Sequence, residues 1–346
     1  MRYLLTFKPL KPFFFGNDKT FSDDYFAVSS NFPQNTQLLG ALRLFIAEQN
    51  SLIKVYRNGK YSNNPEALKP LIGTAGSKNF SSNEDLGMIR NLSNMFILTK
   101  DLDDAYFLTP FDIEISDKSI RHYTLGNIED DYFLNDYDVK NASSQHLGNG
   151  EFWQKYISNQ KLDKKDVKTF DDIFKKHTQV GIELKNKQTV DEKFYSKVDY
   201  MLDEGFLFGA VIELDEPIIS DGIIQIGAES SLFELKVTKL EDTKLTKHPI
   251  ISNLFIEPKE YDKVVTIGDM MLSYTDEIDS YFNIIPFYKN FAMLDKDKSH
   301  FKAKTKQQRL IPSGSVFYTK KPQTFKLIKG AYKKMGYNQI IGVKNV

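Results

Sequence analysis

Cysteine is absent from this chain. That excludes disulfides, thiol nucleophiles and zinc-thiolate sites, and it fits a reducing compartment. Histidine is scarce, confined to His122, His146, His177, His248 and His300. No two of these stand at metal-ligand spacing, and no His-Glu-x-x-His occurs. Neither a Gly-x-Gly-x-x-Gly nor a P-loop is present, so no nucleotide cofactor is expected. No apolar run approaches the roughly 18 residues of a membrane helix. Lys8, Pro9, Lys11 and Pro12 close behind Leu4-Leu5 interrupt any signal-peptide core;. The expectation is a soluble cytoplasmic protein without metal or cofactor.

Net charge is also missing, with 46 basic and 46 acidic residues in 346. The balance is uneven along the chain. Residues 295–334 carry twelve Lys or Arg against two Asp, whereas residues 99–138 carry eleven Asp or Glu against three Lys or Arg. A nonspecific nucleic-acid coat is basic throughout. A basic tail beside an acidic middle points instead to a local anionic ligand and a charged protein contact, or to plain solvated faces.

The length suggests about two domains at roughly 150 residues each. Met1 to Phe7 reads as a buried strand, and Thr36 to Gln49 as a helix with Leu38, Leu39, Leu42, Phe45 and Ile46 on one stripe;. Gly40 inside that helix suggests the close approach of another backbone. Short strands are expected at Met95–Leu98 and Ala105–Leu108. Residues 112–174 are acidic, aromatic and poorly periodic, and they hold the single tryptophan, Trp153. A hairpin follows from Val180, then a strong strand at Phe206–Leu214, and further strands at Val264–Ile267, Val316–Tyr318 and Gly336–Val343. The expected division is residues 1–111, a connector over 112–179, and residues 180–346.

The candidate sites are modest. Asp103-Asp104 and Asp130-Asp131 lack the alternating spacing of a calcium loop. Asp295-Lys-Asp-Lys-Ser299 alternates, but His300 and Lys306 stand where that loop needs glycine and glutamate;. Gly73-Thr-Ala-Gly-Ser-Lys78 reads as a plain flexible loop. Pro312-Ser-Gly-Ser315, flanked by Arg309 and Lys320, reads either as a turn or as a cradle whose hydroxyls and amides face a phosphate. Arg43, about two turns into the first helix, reads as a plain surface arginine or as a guanidinium that meets a phosphate bidentately. His177, in Lys175-Lys-His-Thr-Gln179, reads as an exposed loop histidine or as a phosphate or base contact.

Three segments run in order from end to end. They are Lys11-Pro-Phe-Phe-Phe-Gly16 with Pro33 to Arg43, Lys176 to Ile182 with Phe206 to Val211, and Arg309 to Tyr318 with the closing Gly336-Tyr-Asn338. In this set the chain resembles the Cmr-three subunit family of type III-B CRISPR interference complexes, RAMP proteins of the Cas-five group. It departs from the family pattern at Gln179, where arginine is common, at Gly227-Ala-Glu-Ser230, and at Asn338, which replaces a glycine. The resemblance implies an α+β fold of two ferredoxin-like domains with an inserted subdomain and a β-hairpin or thumb. It implies no catalysis, binding of the 5′ repeat-derived tag of the CRISPR RNA (crRNA), and a place at the foot of the complex. The large Cas-ten-type subunit and the first backbone RAMP subunit are its implied partners. The implied RNA contacts fall on Gly16, Asn17, Lys19, Arg43, Lys176, His177, Gln179, Lys187, Arg309, Ser313, Gly314 and Ser315.

Two other readings share the residues. One is a RAMP endoribonuclease that processes precursor crRNA, for which an early histidine would serve as acid or base; no histidine precedes His122. The other is the equivalent subunit of a type III-A complex.

Overall fold

The computed structural model describes residues 1–16, 25–55, 61–63, 65–73, 85–116, 119–129, 131–135, 145–185, 188–228, 231–256, 258, 261–271, 280–291, 308–319 and 331–344. The first strand, β1 (Arg2–Pro9), buries five consecutive residues, Tyr3 to Phe7. Such a run suits a strand covered on both faces. After the short strand β2 (Tyr25–Val28) comes helix α1 (Asn35–Gln49), whose Leu38, Leu39, Leu42, Phe45 and Ile46 are buried as their spacing requires;. Gln34 precedes it, and its backbone N–H donates to Gln37 Oε1 at 3.1 Å. Gly40 is exposed, and a Cβ there would meet no atom of the described residues within 4 Å. The close backbone approach expected of it does not occur.

Strand β3 (Phe96–Thr99) is followed by a long hairpin, β4 (Phe174–Lys185) and β5 (Gln188–Leu202), and then by β6 (Phe206–Leu214) and β7 (Leu232–Lys239). β1 lies between β6 and β7, antiparallel to both, and β6 pairs with β3 on its other side. The sheet extends to nine strands through short edges such as Leu147–Gly148, which pairs with Ala105–Leu108. Its strands therefore come from each of the three segments expected from the sequence. β1 satisfies its ladder with strands two hundred residues away in the chain.

A second, four-stranded antiparallel sheet is built from β8 (Lys263–Thr266), β9 (Phe282–Ile284), β10 (Val316–Tyr318) and β11 (Ile340–Val343). The closing strand is shorter than expected. A turn over Gly336–Asn338 precedes it, and Asn338 takes a φ of +58° where the family pattern has glycine. Asparagine tolerates that conformation. Its side chain adds bonds glycine could not, accepting from the Met271 N–H at 2.7 Å and donating to the Met271 carbonyl at 3.1 Å.

Two cores sit on opposite faces of the large sheet. Leu5, Phe7, Phe208 and Phe233 pack against α1, Phe13 and Phe15. Leu4, Phe96 and Val211 pack against Trp153, Tyr156 and the second sheet. The described part of the middle segment thus packs on the large sheet, with Trp153 fully buried. The fold is mixed α/β with mostly antiparallel sheets and few helices. Among the described residues no helix is long and apolar enough to cross a membrane.

Candidate nucleic-acid interface

The hairpin brings together residues that the sequence leaves apart. β4 and β5 pair so that His177 faces Asp199 and Gln179 faces Lys197. Side chains two apart on a strand share a face, and directly paired residues share it too. His177 Nδ1 shares a hydrogen bond with Asp199 Oδ1 at 2.7 Å. Lys197 Nζ stands 3.3 Å from Asp199 Oδ2, and Gln179 Nε2 donates to the same oxygen at 3.5 Å. The carboxylate is buried while the imidazole is half exposed, 3% against 48% of the side chain. A buried carboxylate needs such partners to offset its desolvation. The arrangement fixes the ring through Nδ1, and Nε2 has no hydrogen-bond partner among the described residues.

Lys197 also lies over the Phe14 ring, 5.2 Å from its centroid. Phe14 belongs to the Phe13–Gly16 segment, which crosses this face of the hairpin. Phe13 bridges Tyr200 and Phe14 bridges Ala228. The Phe14 N–H donates to Ser231 Oγ and the Phe15 N–H to Ser29 Oγ, both at 2.9 Å. Gln37 of α1 donates to the Phe15 carbonyl at 2.9 Å, so the helix anchors the segment from its first turn. Gly227 has a φ of +88°, and a Cβ on it would stand 2.6 Å from the Phe14 carbonyl oxygen. The second glycine of the family pattern is missing here, yet the one that the close approach requires is present. Gly16 ends the segment at a φ of +83°, and among the described residues no atom lies within 4 Å of where its Cβ would stand.

The other expected contacts disperse. Lys176 alternates with His177, so it takes the opposite face, and its Nζ is 3.8 Å from Asp171 Oδ1. Arg43 donates to the Asp85 carbonyl at 3.2 Å. Arg309 is exposed on the short strand Gln308–Ile311. Asn17, Lys19 and Lys187 lie outside the described residues, as does the loop from Asp295.

The cradle at Pro312–Ser315 is turned inward. Ser313 and Ser315 are buried, at 4% and 0% exposure. Ser313 Oγ donates to the Ile267 carbonyl at 2.7 Å and Ser315 Oγ to the Pro312 carbonyl at 2.8 Å. The amides are spent as well, Ser313 on Asp269 Oδ1, Gly314 on the Thr266 carbonyl and Ser315 on Thr266 Oγ1. Gly314, at φ +92°, is required by packing: a Cβ would come 2.6 Å from the Thr109 carbonyl oxygen and 2.5 Å from Gln145 Nε2. Its neighbours, Thr109, Phe111 and Gln145, therefore belong to the end of the first segment and to the middle segment. The part of the C-terminal half that meets the start of α1 is the Gly336 turn, where a Cβ would stand 2.8 Å from Asn35 Nδ2. Buried loops satisfy their polar groups internally, and this one has none left for a ligand.

Asp199, Lys197 and Phe14 were missed by sequence reasoning. The signal was faint: an alternation of Lys197 and Asp199 within an otherwise apolar strand end. Among the described residues no cluster of three potential metal ligands gathers.

Fold and surface define a mixed α/β protein that gathers polar and glycine-bearing elements on one face of a hairpin. The chain belongs to the CRISPR-associated protein family Cas_Cmr3, whose model matches residues 5–345. The family found is the one its ordered motifs resemble. No curated protein matches the chain. Among solved structures it is similar to a chain of the type III-B Cmr-beta complex bound to cognate target RNA and AMPPNP, with a TM-score of 0.53 and 15% identity, covering 99% of this chain and 96% of that one. A chain of the same assembly bound to cognate target RNA alone gives 0.52 and 13%, with the same coverage. At these identities the likeness shows the fold.

Proposed function

We propose that this chain is a non-catalytic subunit of a type III-B CRISPR ribonucleoprotein of the cytoplasm, and that it holds the 5′ repeat-derived tag of the crRNA. The observation that carries the reading is the His177–Asp199–Lys197 cluster with Gln179, which Lys197 joins to Phe14 of the Phe13–Gly16 segment. Single-stranded RNA is gripped by fixed donors, exposed backbone and stacking platforms rather than by a groove code. His177 and Gln179 supply donors, and Gly16 lets a sugar or base approach the backbone. Its place is the foot of the complex, against the large Cas-ten-type subunit and the first backbone subunit.

Two ferredoxin-like units are part of this proposal. Support comes from the spatial order β3–β6–β1–β7, antiparallel at every step, with α1 in the connection from β1 towards β3. That is the order of a split β-α-β unit.

The test is binding of the purified complex or full chain to a tag RNA, followed by anisotropy across a salt series. His177→Ala with Gln179→Ala should weaken binding roughly tenfold and lower the salt slope by about one unit if a phosphate contact is lost. Unchanged affinity and slope would remove the hairpin face from the reading. A second reading, the endoribonuclease, is favoured by one observation: a histidine oriented by a buried carboxylate is the form of a general acid or base;. Site-specific cleavage of repeat RNA by pure protein, lost in His177→Ala, would establish it over the first.

A further inference from the structure

The acidic middle of the chain folds into a feature that RNA binding does not use. Leu125–Ile128 and Asp131–Leu134 form an isolated two-stranded hairpin, turning at Glu129 with a φ of +50°. Its inner face is anchored: Leu125 and Leu134 pack on the second core, and Tyr132 meets Tyr281 with ring centroids 4.5 Å apart. Its outer face is apolar and acidic. Ile128 is 64% exposed and Phe133 40%. A Cβ on Gly126 would stand 2.6 Å from the Phe133 ring, so glycine there lets the ring lie across the neighbouring strand. Glu129 and Asp131 flank the pair, both exposed and without an ion-pair partner among the described residues. A bare two-stranded hairpin is marginal in water, and exposed apolar residues ringed by charge mark a contact surface.

We propose that this outer face docks a protein subunit presenting a basic and apolar patch. The proposal rests on the reading that the chain works inside a multi-subunit complex. Charge selects the occupant. Carboxylates repel RNA phosphates. A second copy bound through the same face would set one acidic turn against the other, because a two-fold contact pairs a patch with itself. A basic surface gains attraction at the rim and apolar burial at Ile128 and Phe133.

The experiment is affinity purification of the tagged full-length chain, coexpressed with its operon and a repeat array, washed at rising ionic strength. Glu129→Lys with Asp131→Lys, and separately Ile128→Glu, should lower retention of one protein subunit at least tenfold, since the first sets like charges across the interface and the second buries a charge in its apolar part. RNA bound by the isolated chain and its melting temperature should stay unchanged. Ile223→Glu, at an equally exposed isoleucine (61%) on an edge strand of the large sheet, should retain every subunit. Full retention in the hairpin variants at all ionic strengths overturns the proposal and leaves the functional reading standing. Loss of RNA from the isolated chain, or a dimer that the hairpin variants abolish, also overturns it. A wild-type chain that captures neither RNA nor subunits overturns both.

Discussion

At the residue scale, glycines and one asparagine show how backbone conformation and open space separate roles. Gly314 and Gly16 both have φ in the left-handed region, but only Gly314 is boxed in. Gly314→Ala should cost more than the roughly 1–2 kcal/mol of the conformation alone, because the Thr109 carbonyl cannot move away. Gly16→Ala should cost about that conformational amount and weaken RNA binding without unfolding. Thermal melting and tag-RNA anisotropy together check the contrast; equal melting temperatures for the two variants would refute it. Gly40 makes the opposite case. It sits in mid-helix with nothing near its Cβ position among the described residues. Gly40→Ala should therefore stabilise the isolated chain by up to about 1 kcal/mol, read as a rise in denaturation midpoint. The helix pattern marks Gly40 as unusual, but the reason suggested by sequence, close packing, is not the one found.

At the element scale, a buried ionic cluster fastens the middle segment to the second sheet. Lys263 Nζ on β8 lies 2.7 Å from Asp112 Oδ2, and both side chains are nearly fully buried. Tyr156 donates to Asp112 Oδ1 at 2.8 Å, and Tyr318 on β10 to Oδ2 at 3.3 Å. Lys263 also lies 4.6 Å from the centroid of the Tyr156 ring. Burial pushes the Asp112 carboxyl up, but the Lys263 ammonium first, then His122 and the Tyr156 hydroxyl, reverse this and hold it below its ordinary value. Lys263→Met leaves that charge uncompensated and should destabilise by about 3–5 kcal/mol. Lys263→Met with Asp112→Asn should recover part of the loss, measured by urea midpoints. A double variant no better than the single would mean that packing, and not the orphaned carboxylate, carries the cost. Sequence could not find this cluster: Asp112 looks like one of many acidic residues in its stretch, and its partner is 151 positions away.

At the scale of the whole molecule, buried His248 and half-buried His122 both lower stability in acid;. His248 is buried, with Nε2 donating to the Ala105 carbonyl at 3.0 Å and Nδ1 accepting from the Ile250 and Ile251 amides at 3.2 and 3.4 Å. Burial lowers its pKa to about 4, from an ordinary value of 6.5. His122 is lowered in the same sense, by burial first, with Asp112 opposing. The unfolded chain then binds more protons than the folded one below pH 6.5. Stability from these groups is complete above that pH and is lost as pH falls towards 4, by roughly 3 kcal/mol for His248. Asp104, raised by burial, contributes in the opposite direction over its own range. Denaturant midpoints at pH 7 and pH 4.5 should differ, and His248→Gln should flatten the difference. An equal fall in that variant would assign the acid loss elsewhere.

The sequence by itself determined the first helix and the most apolar strands, since hydrophobic periodicity is a local property that packing here did not override, whereas strands such as β2, β7 and β9 carried no such signal. The apolar run of β1, the stripe of α1 and the strong strand β6 all follow from it. The ordered motifs also sufficed for the family. Only the tertiary structure decided which strands are neighbours, and hence that the large sheet draws on all three segments. It alone set β4 against β5 so that His177 meets Asp199 and Lys176 turns away, a matter of register in which one residue of slip exchanges the faces;. It alone turned Ser313 and Ser315 inward, because whether a Gly-Ser turn serves a ligand or its own fold depends on what packs over it, and here Thr109, Phe111 and Gln145 do.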